Sequence, residues 1–348
     1  MAYTTITKHT AHFNTKLYVG NGSVGNAQTG VGFQPDLVWV RNRPDARDNH
    51  FYDAVRGVNK VIGTDRQAGE ATVTNGVTAF GADGFTVSDD ANVNDNSDNH
   101  VAWCWKANGA GSTNTDGNNP NTVTVSANAT SGFSIIKYQG TDTGGQTIGH
   151  GLGVKPKLFI CKNLTESDNW MAWWDGDSDG DGTGEVRLIP NSTNNDYGNY
   201  PVTFGTSTIT LPTQSDNAWN GNGDSFIGYC FAEKVGFSKI GKYKGNGSTD
   251  GVFIYTGFRP SFILIKSKTN NDWWGLWDNK RNTANPINKR LYAQSSDAEG
   301  TSDNLDFLSN GFKLKSTDGA INSSSGEYMY YVVGQSIVGT NNIPATAF

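Results

Sequence analysis

The chain of 348 residues has a formal net charge of -6, only 17% charged residues, 11% aromatics and 43 glycines, a mixture poor for long helices and suited to short strands joined by tight turns. No basic cluster offsets the negative charge, which argues against nucleic acid as a partner, and no apolar run approaches the ~18 residues of a membrane span. Cys104, Cys161 and Cys230 lie far apart without a C-x-x-C pair. Buried free thiols are expected, rather than a disulfide framework or a structural zinc site.

The N-terminal stretch MAYTTITKHTAHF is polar and shows no export signal. Residues 1–16 read as an arm and a candidate anchor, since chain ends are ordered only when something docks them. His9 and His12, inside it, read as a surface pair rather than a metal site.

From there the chain repeats itself. Tyr18, Tyr138 and Tyr243 each open a Tyr-x-Gly, and each is followed by a Gly-x-x-Pro: Gly32 to Pro35, Gly153 to Pro156 and Gly257 to Pro260. Gly admits positive φ and Pro fixes the next φ, so the pair turns the chain sharply into a strand. The strands so launched, 37–40, 158–161 and 262–265, are apolar on both faces and must be covered on both sides. An aromatic residue then precedes Asp53, Asp175 and Asp278, each expected to cap a turn. Dense apolar segments, HVAWCWKA, FIGYCFAE and YMYYVVGQ, close the units. GFTVS at Gly84 and GFKLKS at Gly311 alternate, as a strand with one wet face does.

The fold expected is all-β, with three tandem β-sandwich-like repeats of about 100 residues each. The division is an arm at 1–16 and repeats at 17–110, 111–235 and 236–348; the alternative is one pseudo-threefold body built from the three.

After Asp175 the second unit departs from the others. Asp175, Asp177, Asp179, Gly180 and Asp181 match the opening of a D-x-D-x-D-G calcium loop, in which alternate oxygens reach one Ca²⁺. Position twelve, normally a bidentate Glu, is Val186, with Glu185 one residue early. Those four aspartates are the candidate metal ligands, and a solvated Gly/Asp turn is the alternative. Trp170 and Trp273, which precede the shared strands, are the candidate ligand-binding residues, through stacking on a glycan. The other aromatics in NWMAWW and DWWGLW read as core or subunit contacts.

Catalytic signatures are missing: there is no G-x-S-x-G, H-E-x-x-H, P-loop or G-x-G-x-x-G after a strand, and His50, His100 and His150 are isolated. A non-enzymatic protein without a resident cofactor is expected.

The string from Phe13 to Arg43, with FYDAVRGVNKVI, GADGFTVSDDANVN and VAWCWKA, resembles a repeat family of virion structural proteins of marine tailed phages. The first unit matches from Phe13 to Ala107 and the other two at the landmarks. The resemblance implies concanavalin- or SPRY-like sandwiches in a surface-exposed virion appendage, a capsid decoration or a tail-fibre-like component. Its partners would be other virion proteins, further copies of itself in a homo-oligomer, and a host-surface glycan. The alternative from another class is a Ca²⁺-dependent lectin-like receptor-binding module.

Overall fold

The computed structural model describes residues 4–175, 183–184, 186–195, 200–214, 216–302 and 305–338. The expected all-β fold holds. Among the described residues, helix is confined to the single turns Ala91–Asn94 and Gly319–Asn322 and a 3₁₀ turn at His9–Ala11.

One strand order recurs along the chain. In the first region, a sheet runs Phe13–Val19, Asn99–Trp105, Leu37–Asn42, His50–Asp53. Phe133–Gln139, Ser225–Phe231, Leu158–Asn163 and Met171–Trp174 follow one another in the same way in the second, and Ser238–Lys244, Glu327–Ser336, Phe258–Ser267 and Trp274–Asp278 in the third. Each of these sheets shares a core with a smaller one: Asn26–Thr29, Gly84–Val87, Val77–Gly81 in the first; Thr147–Gly149, Thr208–Thr210, Val202–Phe204 in the second; Phe253–Tyr255, Gly311–Leu314, Leu305–Leu308 in the third.

The doubly apolar strands explain how the sandwiches meet. Val38 and Val40 enter the first sandwich's own core with Phe85 and Val87. Leu37 and Trp39, on the opposite face, enter a cluster that also takes Leu158, Phe262 and Leu264. Closing strands contribute to that cluster in register: Val101, Trp103 and Trp105 from the first, Ile227, Tyr229 and Phe231 from the second, Met329, Tyr331 and Val333 from the third. One apolar cluster therefore takes side chains from all three sandwiches. It encloses an apolar cavity of about 30 Å³ lined by residues such as Leu37, Leu158, Phe262, Tyr229 and Tyr331.

The tyrosine landmarks occupy matching surroundings. Tyr18 donates to the carbonyl of Val93 at 2.6 Å, Tyr138 to that of Trp219 at 2.7 Å and Tyr243 to that of Ile321 at 2.8 Å. The next residue in each case is a buried asparagine, Asn94, Asn220 or Asn322, whose amide bonds back to the loop after the tyrosine. Asp90, Asp216 and Asp318 cap the turns that carry these asparagines. This Asp-x-x-x-Asn spacing stands in the sequence at all three places. It also accounts for the glycine of Tyr-x-Gly: a Cβ on Gly20, Gly140 or Gly245 would lie 2.0–2.3 Å from a backbone oxygen of the asparagine turn. The glycines before proline, Gly32, Gly153 and Gly257, have φ of 91°, 69° and 84°, as expected of a left-handed turn.

Two expectations are corrected. The arm does not end at residue 16, because Phe13–Val19 is already a strand, and Thr4 and Ile6 are buried upstream of it. Nor does Asp175 stand where Asp53 and Asp278 do. Leu37 pairs with Asp53 and Phe262 with Asp278, but Leu158 pairs with Trp174, so Trp174 holds that place.

Because aromatics of all three sandwiches meet in one cluster, unfolding in urea followed by tryptophan fluorescence and by far-ultraviolet circular dichroism should show one coincident transition. Phe262→Ala, which removes a ring 5.5–5.6 Å from those of Phe13, Trp103 and Trp105, should lower stability by about 3–5 kcal/mol. Three separable transitions would contradict the shared core.

Candidate functional site

Trp170, expected to be exposed for stacking on a sugar, is fully buried. Its Nε1 donates to the carbonyl of Gly63 at 2.7 Å and its ring packs edge-on to Phe51. It serves the seam between the second and first sandwiches, so the glycan role is corrected to a structural one. Trp273 is half-buried, the one tryptophan not in the buried set. The Arg290 guanidinium lies over its ring, 4.0 Å from the centroid, and Tyr292 meets it edge-on at 5.6 Å. Asp177, Asp179 and Asp181 lie outside the described residues, while Asp175 is half-buried and its N–H donates to Lys157. All three cysteines are free and buried, as expected.

Asp53 and Asp278 do cap turns, and do more. Asp53 accepts the N–H groups of Val55 and Arg56, pairs with the Arg56 guanidinium, and accepts the Tyr229 hydroxyl of the second sandwich at 2.8 Å. Asp278 repeats the arrangement with Lys280, Arg281 and the Trp103 indole of the first sandwich at 3.1 Å. The carboxylate holds Arg56 charged, raising its pKa against the cost of burial. Replacing Asp53 or Asp278 by Ala would take the nearer of two carboxylates from a buried guanidinium, leaving Arg56 only Glu70 at 3.5 Å and Arg281 only Glu299 at 3.1 Å, and each change should cost about 3 kcal/mol in urea unfolding. A loss under ~1 kcal/mol would deny the pair its role.

A second set of charges lies at the ends of the central strands. Arg41, Lys162 and Lys266 follow the apolar runs in register and are all fully buried. Arg41 donates to the carbonyl of Asp297 in the third sandwich at 2.6 Å, Lys266 to that of Thr193 in the second at 2.9 Å, and Lys162 to that of Gln67 in the first at 2.9 Å. The ties run in one sense around the molecule. Asn49, Trp274 and Trp170 form a parallel cycle, bonding to Ala293, Ile189 and Gly63. Burial lowers the pKa of Lys162 and of Lys266 to about 8 and that of Arg41 to about 10.

A cleft lined by titratable and polar groups lies elsewhere, on the third sandwich. It encloses about 740 Å³ among residues including His9, Arg259, Ser261, Lys280, Asn285 and Gln335. Ser261 stands at a register shift between Pro260 and Phe262 where the strand pairs with Glu327–Ser336, and such bulges re-aim a side chain. The first and second sandwiches have Asp36 and Lys157 at the matching place. The 3₁₀ turn brings in His9, whose Nε2 lies 3.0 Å from Ser261 Oγ and whose Nδ1 lies 2.7 Å from Gln335 Oε1. His12 is directed elsewhere, to Asn128 at 3.1 Å, so the two histidines do not share a ligand. Sequence reasoning missed Ser261 and Gln335, which are 74 residues apart and more than 250 from His9; nothing local marks them except the proline beside the serine.

Among the described residues, the only group of three acidic, His or Cys side chains close enough for a metal is Asp45, Asp95 and Asp98. Arg47 pairs with Asp95 and lies 4.0 Å from Asp45, and Asn42 donates to Asp98, so the group already has donors.

These features define an all-β protein of three sandwich-like sheet pairs cross-tied around one core, with a polar cleft where the N-terminal segment docks on the third. The chain belongs to the family described as domain of unknown function DUF7483, whose model matches residues 8–335. No curated protein matches it.

All five histidines have pKa values lowered from 6.5, in each case chiefly by burial. Below pH 6.5 the unfolded chain therefore binds protons that the folded chain refuses, and stability present above that pH is lost as pH falls towards the folded values. The urea midpoint should drop between pH 7 and 5; a flat profile would show that the imidazoles protonate in place. Iodide should quench little of the tryptophan emission, and Trp273→Phe should remove most of the quenchable part.

Proposed function

We propose that the chain is a structural component of a virion, a surface-exposed appendage of the capsid-decoration or tail-associated kind that packs with other virion proteins and with copies of itself. What carries this reading is the use made of its chemistry-bearing residues. Buried cations, carboxylates and indoles that would serve a ligand elsewhere tie one sandwich to the next. Such cross-ties resist independent opening of the units, a property suited to a part assembled once and then exposed. The net charge of -6 favours solubility and is largely screened at high ionic strength. The resemblance of the first unit's strings to virion repeat proteins supplies the particle.

Immunogold electron microscopy with antibody to this chain should decorate intact particles on their outer surface. Particles left bare, with the chain recovered only from the soluble host fraction, would refute the assignment.

A second reading, Ca²⁺-dependent glycan binding, keeps Trp273 and its partners Arg290 and Tyr292 as one stacking surface. Host polysaccharide should then change tryptophan emission in the parent and not in Trp273→Phe, and EDTA should abolish the change. No response in the parent would leave the structural role alone.

A further inference from the structure

The cleft on the third sandwich holds an arrangement that the structural reading does not use. Gln335 has its amide orientation set by its surroundings: Oε1 accepts the backbone N–H of His9 at 3.2 Å, and Nε2 faces the carbonyls of Ser336 at 3.1 Å and Thr7 at 3.5 Å. A backbone N–H can only donate, so the oxygen must face His9. His9 Nδ1, 2.7 Å from that oxygen, then carries the ring proton. Nε2 is left as an acceptor, 3.0 Å from Ser261 Oγ, and the serine hydroxyl donates to it. This is the order of roles in which a nucleophile is joined to a base and the base to a group that holds its tautomer.

We propose that the cleft is an ester-hydrolysing site in which Ser261 is the nucleophile, His9 the general base and Gln335 the positioning residue for His9. Its substrate class is a short carboxylic ester bearing a second, anionic group, because Lys280 lines the same cleft. The volume of about 740 Å³ falls in the range of small-molecule sites.

In the reaction, Ser261 Oγ bonds to the ester carbonyl carbon while its proton passes to His9 Nε2. The alkoxy C–O bond breaks, and the leaving alcohol takes the proton from His9. Water, the only co-reactant, then attacks the acyl-serine with His9 again as base; the carboxylic acid departs and the serine regains its proton. Burial lowers the pKa of His9, and Lys280 and Lys8 act in the same direction, against the raising effect of the Gln335 hydrogen bond. The imidazole is thus held neutral, as a base must be. Gln335 lacks the charge that would stabilise an imidazolium, so turnover is expected to be slow.

The test uses the full chain with p-nitrophenyl acetate, p-nitrophenyl hemisuccinate and a fluorophosphonate probe. The parent should release p-nitrophenol faster than buffer, prefer the hemisuccinate, and give one fluorophosphonate adduct, located by mass spectrometry on Ser261. Ser261→Ala and His9→Asn should each lower kcat by at least about 100-fold. Lys280→Glu should raise KM for the hemisuccinate alone. Gln335→Leu should lower kcat with KM unchanged, and Gln335→Glu, which still accepts from Nδ1, should restore it; a purely structural Gln335 would not give that split. Hydrolysis by Ser261→Ala at the parent's rate would overturn the proposal. So would a parent that forms no adduct on Ser261 and releases no nitrophenol above buffer, a measurement that depends on no variant folding.

Discussion

Beside the shared apolar core, the fold buries three cations where three sandwiches meet. Arg41, Lys162 and Lys266 lie fully out of water, and an isolated charge in that position costs several kcal/mol unless it is bonded. Each donates to one backbone carbonyl of its own sandwich, Arg47, Asn163 or Asp272, and to one of the neighbouring sandwich, in a cycle that closes only when all three are in place. Removing one sandwich would take a hydrogen-bond partner from a buried cation on another. Association of the sandwiches is thus coupled to the formation of each one, and the carbonyls, being uncharged, leave the two lysines with pKa values near 8 rather than holding them strongly protonated.

The cycle is approximate, and its departures are informative. In two places a carboxylate, Asp53 or Asp278, takes a hydrogen bond from an aromatic residue of the adjacent closing strand. In the third the position belongs to Trp174, and Tyr331, the counterpart of Trp103 and Tyr229, bonds instead to the Trp105 indole. There an indole stands where the other two sandwiches hold a buried ion pair, a difference often neutral for stability because desolvation offsets the Coulombic gain. The acidic stretch after Asp175 thus follows a seam already altered. A similar local departure places Ser261, rather than an Asp or Lys, beside the docked N-terminal segment.

Much of the fold could be read from the chain. Alternation and turn chemistry are local, so the all-β class, the positive-φ glycines before proline and the three matching tyrosines were legible from spacing alone. The doubly apolar strands required a second covering layer, although not its identity. Trp170 was misplaced because its type and its neighbours fit either a wet or a dry face equally well; only the carbonyl of Gly63, 107 residues earlier, decides. Asp175 was misaligned for a related reason: the aromatic-Asp pair looks identical in all three places, and the one-residue offset shows only in the cross-strand register.

By itself, then, the sequence determined the strand-forming pattern, the sharp turns and the inward apolar faces, because each depends on φ preferences and side-chain period over a few residues. Tertiary structure alone decided that the three sandwiches share one core, that Arg41, Lys162 and Lys266 point across seams, and that His9 meets Ser261 and Gln335. Those outcomes join groups separated by tens to hundreds of residues. Which distant carbonyl or hydroxyl satisfies a buried polar group is set by how whole sheets pack, and no local rule encodes it.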